Sequence, residues 1–242
     1  MGHDGLDALL IDVGGTLVDD ATWIERADYE RRMLARLRQS FGTEEPWFAS
    51  LVSQPFIDSD APGWEQNTAE LVVAHLAEQG IEAGAEEVER ICRALALPLR
   101  EVVQLAEGAR EAVDAIHALD VPMVLCTNTL WRNDDDVRRD WEELGFGDRF
   151  AGYVSSHDAG YGKPHPAMFE RCLELVGADA SRAAIIGDRP ERDIAGARRV
   201  GMRAIWMRPP DFDGRPDPSP DAEVTRWSEI PPLIERWRNG RA

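Results

Sequence analysis

Lysine is almost missing from this chain. Of the 27 basic residues among its 242, only Lys163 is a lysine, and every other is an arginine. Cysteine is scarce as well. Cys92, Cys126 and Cys172 are odd in number, lack metal-ligand spacing and lie in apolar stretches, so they are expected as buried free thiols, not as a disulfide frame or a zinc site. No apolar run approaches 18 residues, which excludes a transmembrane helix. The opening MGHDGLDALLID has neither a basic n-region nor a cleavage site and is not read as a signal peptide. Leu6 breaks the myristoylation pattern. The expected location is the cytoplasm.

Positive charge is also in short supply. Against those 27 cations stand 45 Asp plus Glu, a formal charge of −18. Such an excess repels phosphate backbones and anionic bilayers, so neither nucleic acid nor membrane is an expected partner. A small phosphorylated substrate is not excluded, because a site can be locally positive. What is present is ordinary for a folded protein: 43% hydrophobic residues, 30% charged and eight tryptophans. The length suits one large domain or two smaller ones, as monomer or homodimer.

LDALLID (6–12) is a short apolar run ending at Asp12 and a Gly-Gly turn, which predicts a buried strand. Helix-spaced apolar positions follow at 21–39, 64–79 and 84–96, so about 80 residues read as wholly helical. From 101 the rhythm changes. A helix at 107–120 precedes a strand at 121–128. A helical stretch then ends near Gly145, followed by a strand at 151–156, a helix at 166–176, a strand at 183–187, a helix ending at 197–201 and a strand at 202–207. Such alternation predicts a parallel sheet covered on both faces. A Pro/Asp-rich loop at 209–221 and a helix at 230–239 close the chain.

The polar residues that punctuate these strands form a pattern. Asp12 ends the first strand, Thr127 and Asn128 end the second, Gly187 and Asp188 end that at 183–187, and Lys163 and Asp193 lie in loops between. Open α/β sheets bind ligands at these carboxyl ends. Two or three carboxylates with a backbone carbonyl suit Mg²⁺, leaving a hydroxyl and an ammonium for phosphate oxygens. Each piece has an ordinary structural explanation. An Asp before Gly-Gly is commonly a turn, Thr-Asn can close a strand, and Asp188 or Asp193 can cap a helix. Their shared order and placement is harder to explain that way.

The segments IDVGGTLVD (11–19), LCTN (125–128), GKPHPAMF (162–169) and GDRPERDIAGARRVGM (187–202) resemble the four motifs of the haloacid dehalogenase-like hydrolase superfamily, in that family's order. The match runs through most of 101–207. The resemblance implies a Rossmann-like α/β core at 1–18 and 101–242 with an all-helical cap inserted at 19–100, as in subfamily I with its C1 cap. It implies a Mg²⁺-dependent phosphatase in which Asp12 attacks phosphorus to give an aspartyl-phosphate. Thr127 and the Asn128 backbone would hold the phosphoryl group, and Lys163 would neutralise Asp12 and the phosphoryl oxygens. Asp12, the Gly14 carbonyl, Asp188 and Asp193, directly or through water, would hold the metal. Phosphoryl transfer depends chiefly on such positioning and neutralisation.

One position departs from the pattern. Phosphatases of this family carry a second Asp two residues after the nucleophile, as general acid and base, where this chain has Gly14. General acid–base catalysis contributes roughly 10²- to 10⁴-fold, or about 3 to 5 kcal/mol of barrier, so poor alkoxide leaving groups suffer most. Asp19, Asp20 or His157 are the candidate replacements. A dehalogenase that attacks carbon needs neither the acid nor the metal, but that branch carries an aromatic residue at the Gly14 position. The phosphonatase branch needs a cap lysine for a Schiff base, and the cap has none. A regulatory phosphate-binding module is the non-enzymatic alternative, although the retention of Asp12, Thr127, Lys163, Asp188 and Asp193 argues for an enzyme. Trp23, Trp47 and Trp64 read as cap core, and His75, His117 and His165 as packing or surface residues. Asp134, Asp135 and Asp136 read as a helix start, where negative charge suits the dipole.

Overall fold

The computed structural model describes residues 5–53, 68–212 and 214–240. Six strands, β1 (Ala8–Ile11), β2 (Met123–Thr127), β3 (Gly152–Ser155), β4 (Ala183–Gly187), β5 (Arg203–Met207) and β6 (Ala222–Val224), form one sheet in the order β3-β2-β1-β4-β5-β6. Every pairing is parallel. The central strand explains why its sequence is continuously apolar. Leu9 and Ile11 enter one core and Ala8 and Leu10 the other, and all four are buried. A strand buried on both faces has no polar side to alternate with.

The first core lies under α6 (Ala109–His117), α7 (Asp134–Glu143) and α11 (Ile230–Arg238), the second under α9 (Pro166–Val176) and α10 (Ala195–Val200). A short α8 (Ser156–Ala159) follows β3. Cys126 and Cys172 sit in the second core, and Cys92 in the first, all as buried free thiols. The three-residue β6 was not expected, because one short edge strand after a proline-rich loop carries no periodic signal.

Between β1 and α6 the described residues hold no strand beyond isolated bridges at Gly14, Val18 and Leu105; their helices are α1 (Arg26–Phe41), α2 (Pro46–Ser53), α3 (Thr68–Glu78), α4 (Ala85–Leu95) and α5 (Leu99–Val102), after one 3₁₀ turn at Asp20–Thr22. Residues 64–67 of the expected second helix, with Trp64, lie outside the described residues. Trp47 packs edge-on against Phe41 and Phe48, as expected of a core aromatic, and His75 is buried beside Ser50 and Gln79. Asn133 caps α7 through Asp136 N at 2.8 Å. Asp134 turns inward, accepting from Ser155 N and Oγ at 2.7 and 2.6 Å and pairing with Arg171.

The insertion is tied to the α/β core at several places among the described residues; Thr68 Oγ1 of α3 donates to Leu130 O, after β2, at 2.8 Å. Its entering and leaving segments run side by side, with Asp19 N donating to Gln104 O (3.0 Å) and Ala106 N to Leu17 O (2.9 Å). A few residues away, Asp140 of α7 accepts from Leu99 N at 2.9 Å and pairs with Arg132 at 2.9 Å, while Arg132 also donates to Leu97 O. Among the described residues, no helix is long and apolar enough to cross a membrane.

Candidate active site

The chain leaves β1 for β2 on one side and later returns to β4 on the other, so the carboxyl ends of β1 and β4 flank a switch point where such sheets bind ligands. Asp12 follows β1 and is held there by its own N–H, which donates to Ile186 O of β4 at 2.9 Å. Thr127 ends β2, and Asp188 follows β4. The loop before α9 delivers Lys163 from the other side. Asp12, Thr127, Lys163, Asp188 and Asp193 are all buried, and with Gly14, Asp20, Asn128, Arg189 and Arg192 they line a pocket of about 110 Å³.

Lys163 Nζ donates to Asp12 Oδ1 at 2.5 Å and to Asp193 Oδ1 at 2.7 Å. Burial works against this ammonium, but the two carboxylates outweigh it and hold its pKa above the ordinary amine range. Asn128 holds the loop in place. Its Oδ1 accepts from Lys163 N at 2.7 Å and its Nδ2 donates to Lys163 O at 3.1 Å. The Asn128 side chain thus positions Lys163, a role the sequence reading, which cast this residue as a phosphate contact, had not included.

Two glycines make the crowding possible. A Cβ on Gly187 would stand 2.2 Å from Asp193 Cγ, and one on Gly15, whose φ is +68°, would stand 2.3 Å from Asp188 Oδ2. The Asp188 carbonyl accepts from Trp206 Nε1 at 3.0 Å, and the Thr16 carbonyl accepts from Trp227 Nε1 at 2.8 Å. These tryptophans, with Arg189 and Arg192, were not anticipated. The two arginines lie inside the quoted GDRPERD segment, so the signal for them was at hand.

The donor set fits a hard divalent cation. One oxygen from each of Asp12, Asp188 and Asp193 lies within 4.8 Å of the others. Asp188 Oδ1 is buried with no hydrogen-bond partner among the described residues, an orphan that needs a cation or a proton. Burial first, then the charges of Asp12, Asp193 and Asp20, push Asp188 up to about 8. Burial outweighs Lys163 in raising Asp193 to about 6. Asp193 already spends Oδ1 on Lys163 and accepts from Arg189 N at 3.1 Å through Oδ2, so Asp188 is the freer ligand.

Of the three candidates to replace the missing acid, only Asp20 reaches this pocket. Asp19 caps the 3₁₀ turn by accepting from Ala21 N at 2.9 Å. His157 Nδ1 lies 2.9 Å from Leu130 O, and the ring lines a larger groove of about 840 Å³ between α3, α4 and α7. His165 caps α9 and stacks on Tyr161, and His117 is exposed on α6.

A family model described as haloacid dehalogenase-like hydrolase matches residues 6–201. A phosphoserine phosphatase of Thermus thermophilus is 37% identical over 90 residues, 36% of this chain and 34% of that protein. A glyceraldehyde 3-phosphate phosphatase of Pyrococcus abyssi is 33% identical over 113 residues, 46% of this chain and 43% of that one. The chain therefore spans well under half the length of these curated relatives. Among solved structures, a 2-haloacid dehalogenase from Pseudomonas syringae superposes with a TM-score of 0.64 at 26% identity, over 96% of this chain and 99% of the other.

Proposed function

The chain belongs to the haloacid dehalogenase-like hydrolase family, and from that footing we propose that it is a Mg²⁺-dependent phosphatase of a small, soluble phosphorylated metabolite, acting in the cytoplasm through an aspartyl-phosphate on Asp12. The observation that carries this reading is the Lys163 ammonium set between Asp12 and Asp193 beside the orphaned Asp188 oxygen. A buried cation next to converging carboxylates is what an anionic nucleophile needs when it meets an anionic phosphoryl group. The names of the two phosphatase relatives point the same way.

In this reading Asp12 Oδ2 is the attacking atom. Its Oδ1 is held by Lys163, and Thr16 Oγ1 approaches Oδ2 at 3.4 Å. Thr127 and the backbone after it receive the phosphoryl oxygens, and Lys163 neutralises charge as it moves from the nucleophile to the transferred group. Asp12, the Gly14 carbonyl and Asp188 would hold Mg²⁺, with Asp193 acting through water because both its oxygens are engaged. When bound, the cation supplies further charge neutralisation at the phosphoryl oxygens. In this reading the insertion at 19–100 would be the cap domain, which contributes Asp20 to the pocket and would limit bulk solvent there while admitting the water that hydrolyses the intermediate.

A panel of phosphoesters, acyl phosphates and 2-haloacids, each with Mg²⁺ or with EDTA, tests this. Mg²⁺-dependent phosphate release is expected. The likeness to a 2-haloacid dehalogenase supports a second reading, attack on carbon. Halide release in EDTA without any phosphate release would establish it instead.

A further inference from the structure

We propose that Asp20 is the proton donor and acceptor for the leaving group and the incoming water, taking from the 3₁₀ turn the place that Gly14 leaves empty at the strand end. This rests on the phosphatase reading. A Cβ built on Gly14 meets Asp20 Oδ1 at 3.8 Å and, among the described residues beyond its chain neighbours, no other atom within 4 Å. The Asp20 carboxylate therefore lies where a side chain at position 14 would project, and it lines the same pocket as Asp12, Thr127 and Lys163.

The carboxylate is held in place, although the residue is exposed. Trp23 Nε1 donates to Asp20 Oδ1 at 3.0 Å. The turn itself is pinned: Thr22 Oγ1 donates to Asp19 O at 2.7 Å and accepts from Gln104 N at 2.9 Å. Asp20 Oδ2 has no hydrogen-bond partner among those found for the described residues and lies 3.1 Å from the point where a Cβ on Gly15 would stand, on the side of Asp188. One oxygen is thus tethered and the other lies on the side of Asp188, in the pocket that Asp12 also lines, and a carboxylate held in this way has the preorganisation a proton carrier requires. Of the acidic side chains in the pocket, Asp12, Asp188 and Asp193 are committed to Lys163 or to the cation; Asp20 is the remaining one.

The steps balance. Asp12 Oδ2 forms a bond to phosphorus, the bond from phosphorus to the ester oxygen breaks, and that oxygen takes the proton of the Asp20 carboxyl group. An alcohol leaves, with an aspartyl-phosphate on Asp12 and a carboxylate on Asp20. Water then attacks phosphorus and gives one proton to Asp20, while the bond from phosphorus to Asp12 Oδ2 breaks. Inorganic phosphate departs and both aspartates return to their starting forms.

The experiment compares the wild type, Asp20→Asn, Gly14→Asp and the double variant Gly14→Asp/Asp20→Asn on a primary alkyl phosphate and on p-nitrophenyl phosphate. Mg²⁺ affinity is measured separately by calorimetry. Asp20→Asn should lower kcat on the alkyl phosphate by roughly 100-fold or more and on the nitrophenyl ester by on the order of tenfold or less, with Mg²⁺ still bound. The double variant should regain most of the alkyl phosphatase activity. Equal losses on both esters, loss of Mg²⁺ binding, or failure of Gly14→Asp to rescue would each overturn the assignment. A wild type inert on both esters with Mg²⁺ would overturn the phosphatase reading and this assignment with it.

Discussion

The ammonium of Lys163 lies 2.5 Å from Oδ1 of Asp12, a residue 151 positions away in the chain. Nothing else in the sequence is a lysine, and in this slot, 2% exposed, a compact point charge bonds two carboxylates at once, a geometry that the longer, planar fork of an arginine does not reproduce. Lys163→Arg should therefore fold less stably and lose activity by a factor on the order of 10² or more. Phosphate release and a thermal melt check both. Full activity in the arginine variant would mean that Lys163 does not touch the reacting groups.

Asn128 offers a gentler perturbation of the same cation. Both ends of its amide bond the Lys163 backbone, so Asn128→Ala frees the loop without removing any group that meets substrate. Loss of such a supporting shell costs roughly 10- to 100-fold in activity. The loss should appear in kcat, with KM little changed. A rise in KM alone would show that Asn128 contacts the substrate directly.

How much of this was legible in the sequence depends on distance along the chain. β1 and β4 announced themselves because strands buried on both faces read as unbroken apolar runs, and the four polar motifs fell at strand ends where the sheet gathers them. β6 was silent because Ala222–Val224 is too short to carry a period. Asp20 could be named as a candidate but not chosen over Asp19 or His157. Its position depends on a turn fastened through Thr22 to Gln104, 82 residues away, and no local pattern encodes that contact. The side-chain amide of Asn128 was likewise given no role, the phosphate call having rested on its backbone, because its partner, the backbone of Lys163, is a tertiary neighbour.

The acidic cluster makes stability depend on pH and on the cation. Burial and neighbouring carboxylates raise Asp188 to about 8 and Asp193 to about 6 in the metal-free chain, against about 4 in an unfolded one. A carboxyl that binds its proton more tightly when folded stabilises the fold below its unfolded pKa, and that stability is lost as pH rises through the folded value. The melting temperature of EDTA-treated protein should therefore fall between pH 4 and pH 8. At pH 8, Mg²⁺ at a hundredfold excess over its Kd should restore about 5–10 °C. Asp188→Asn should flatten the pH dependence and abolish the Mg²⁺ response. Melting that responds to neither pH nor Mg²⁺ would remove the cation from the site.

The tie between the insertion and α7 rests on a charge pair that is nearly out of water. Arg132 and Asp140 are 12% and 10% exposed at their side chains, and they hold Leu97 O and Leu99 N respectively. Burial raises the Asp140 pKa despite Arg132, so desolvation is substantial and the pair is worth less than its separation suggests. Breaking it is another matter, because the survivor is left charged without its partner. Asp140→Ala should cost about 3–5 kcal/mol and lower the melting temperature by roughly 10 °C. Asp140→Leu combined with Arg132→Met should recover much of that loss, since an apolar pair of similar volume carries no desolvation penalty. If the double variant is as unstable as Asp140→Ala, the hydrogen bonds to Leu97 and Leu99, and not the charges, fasten the insertion to the sheet.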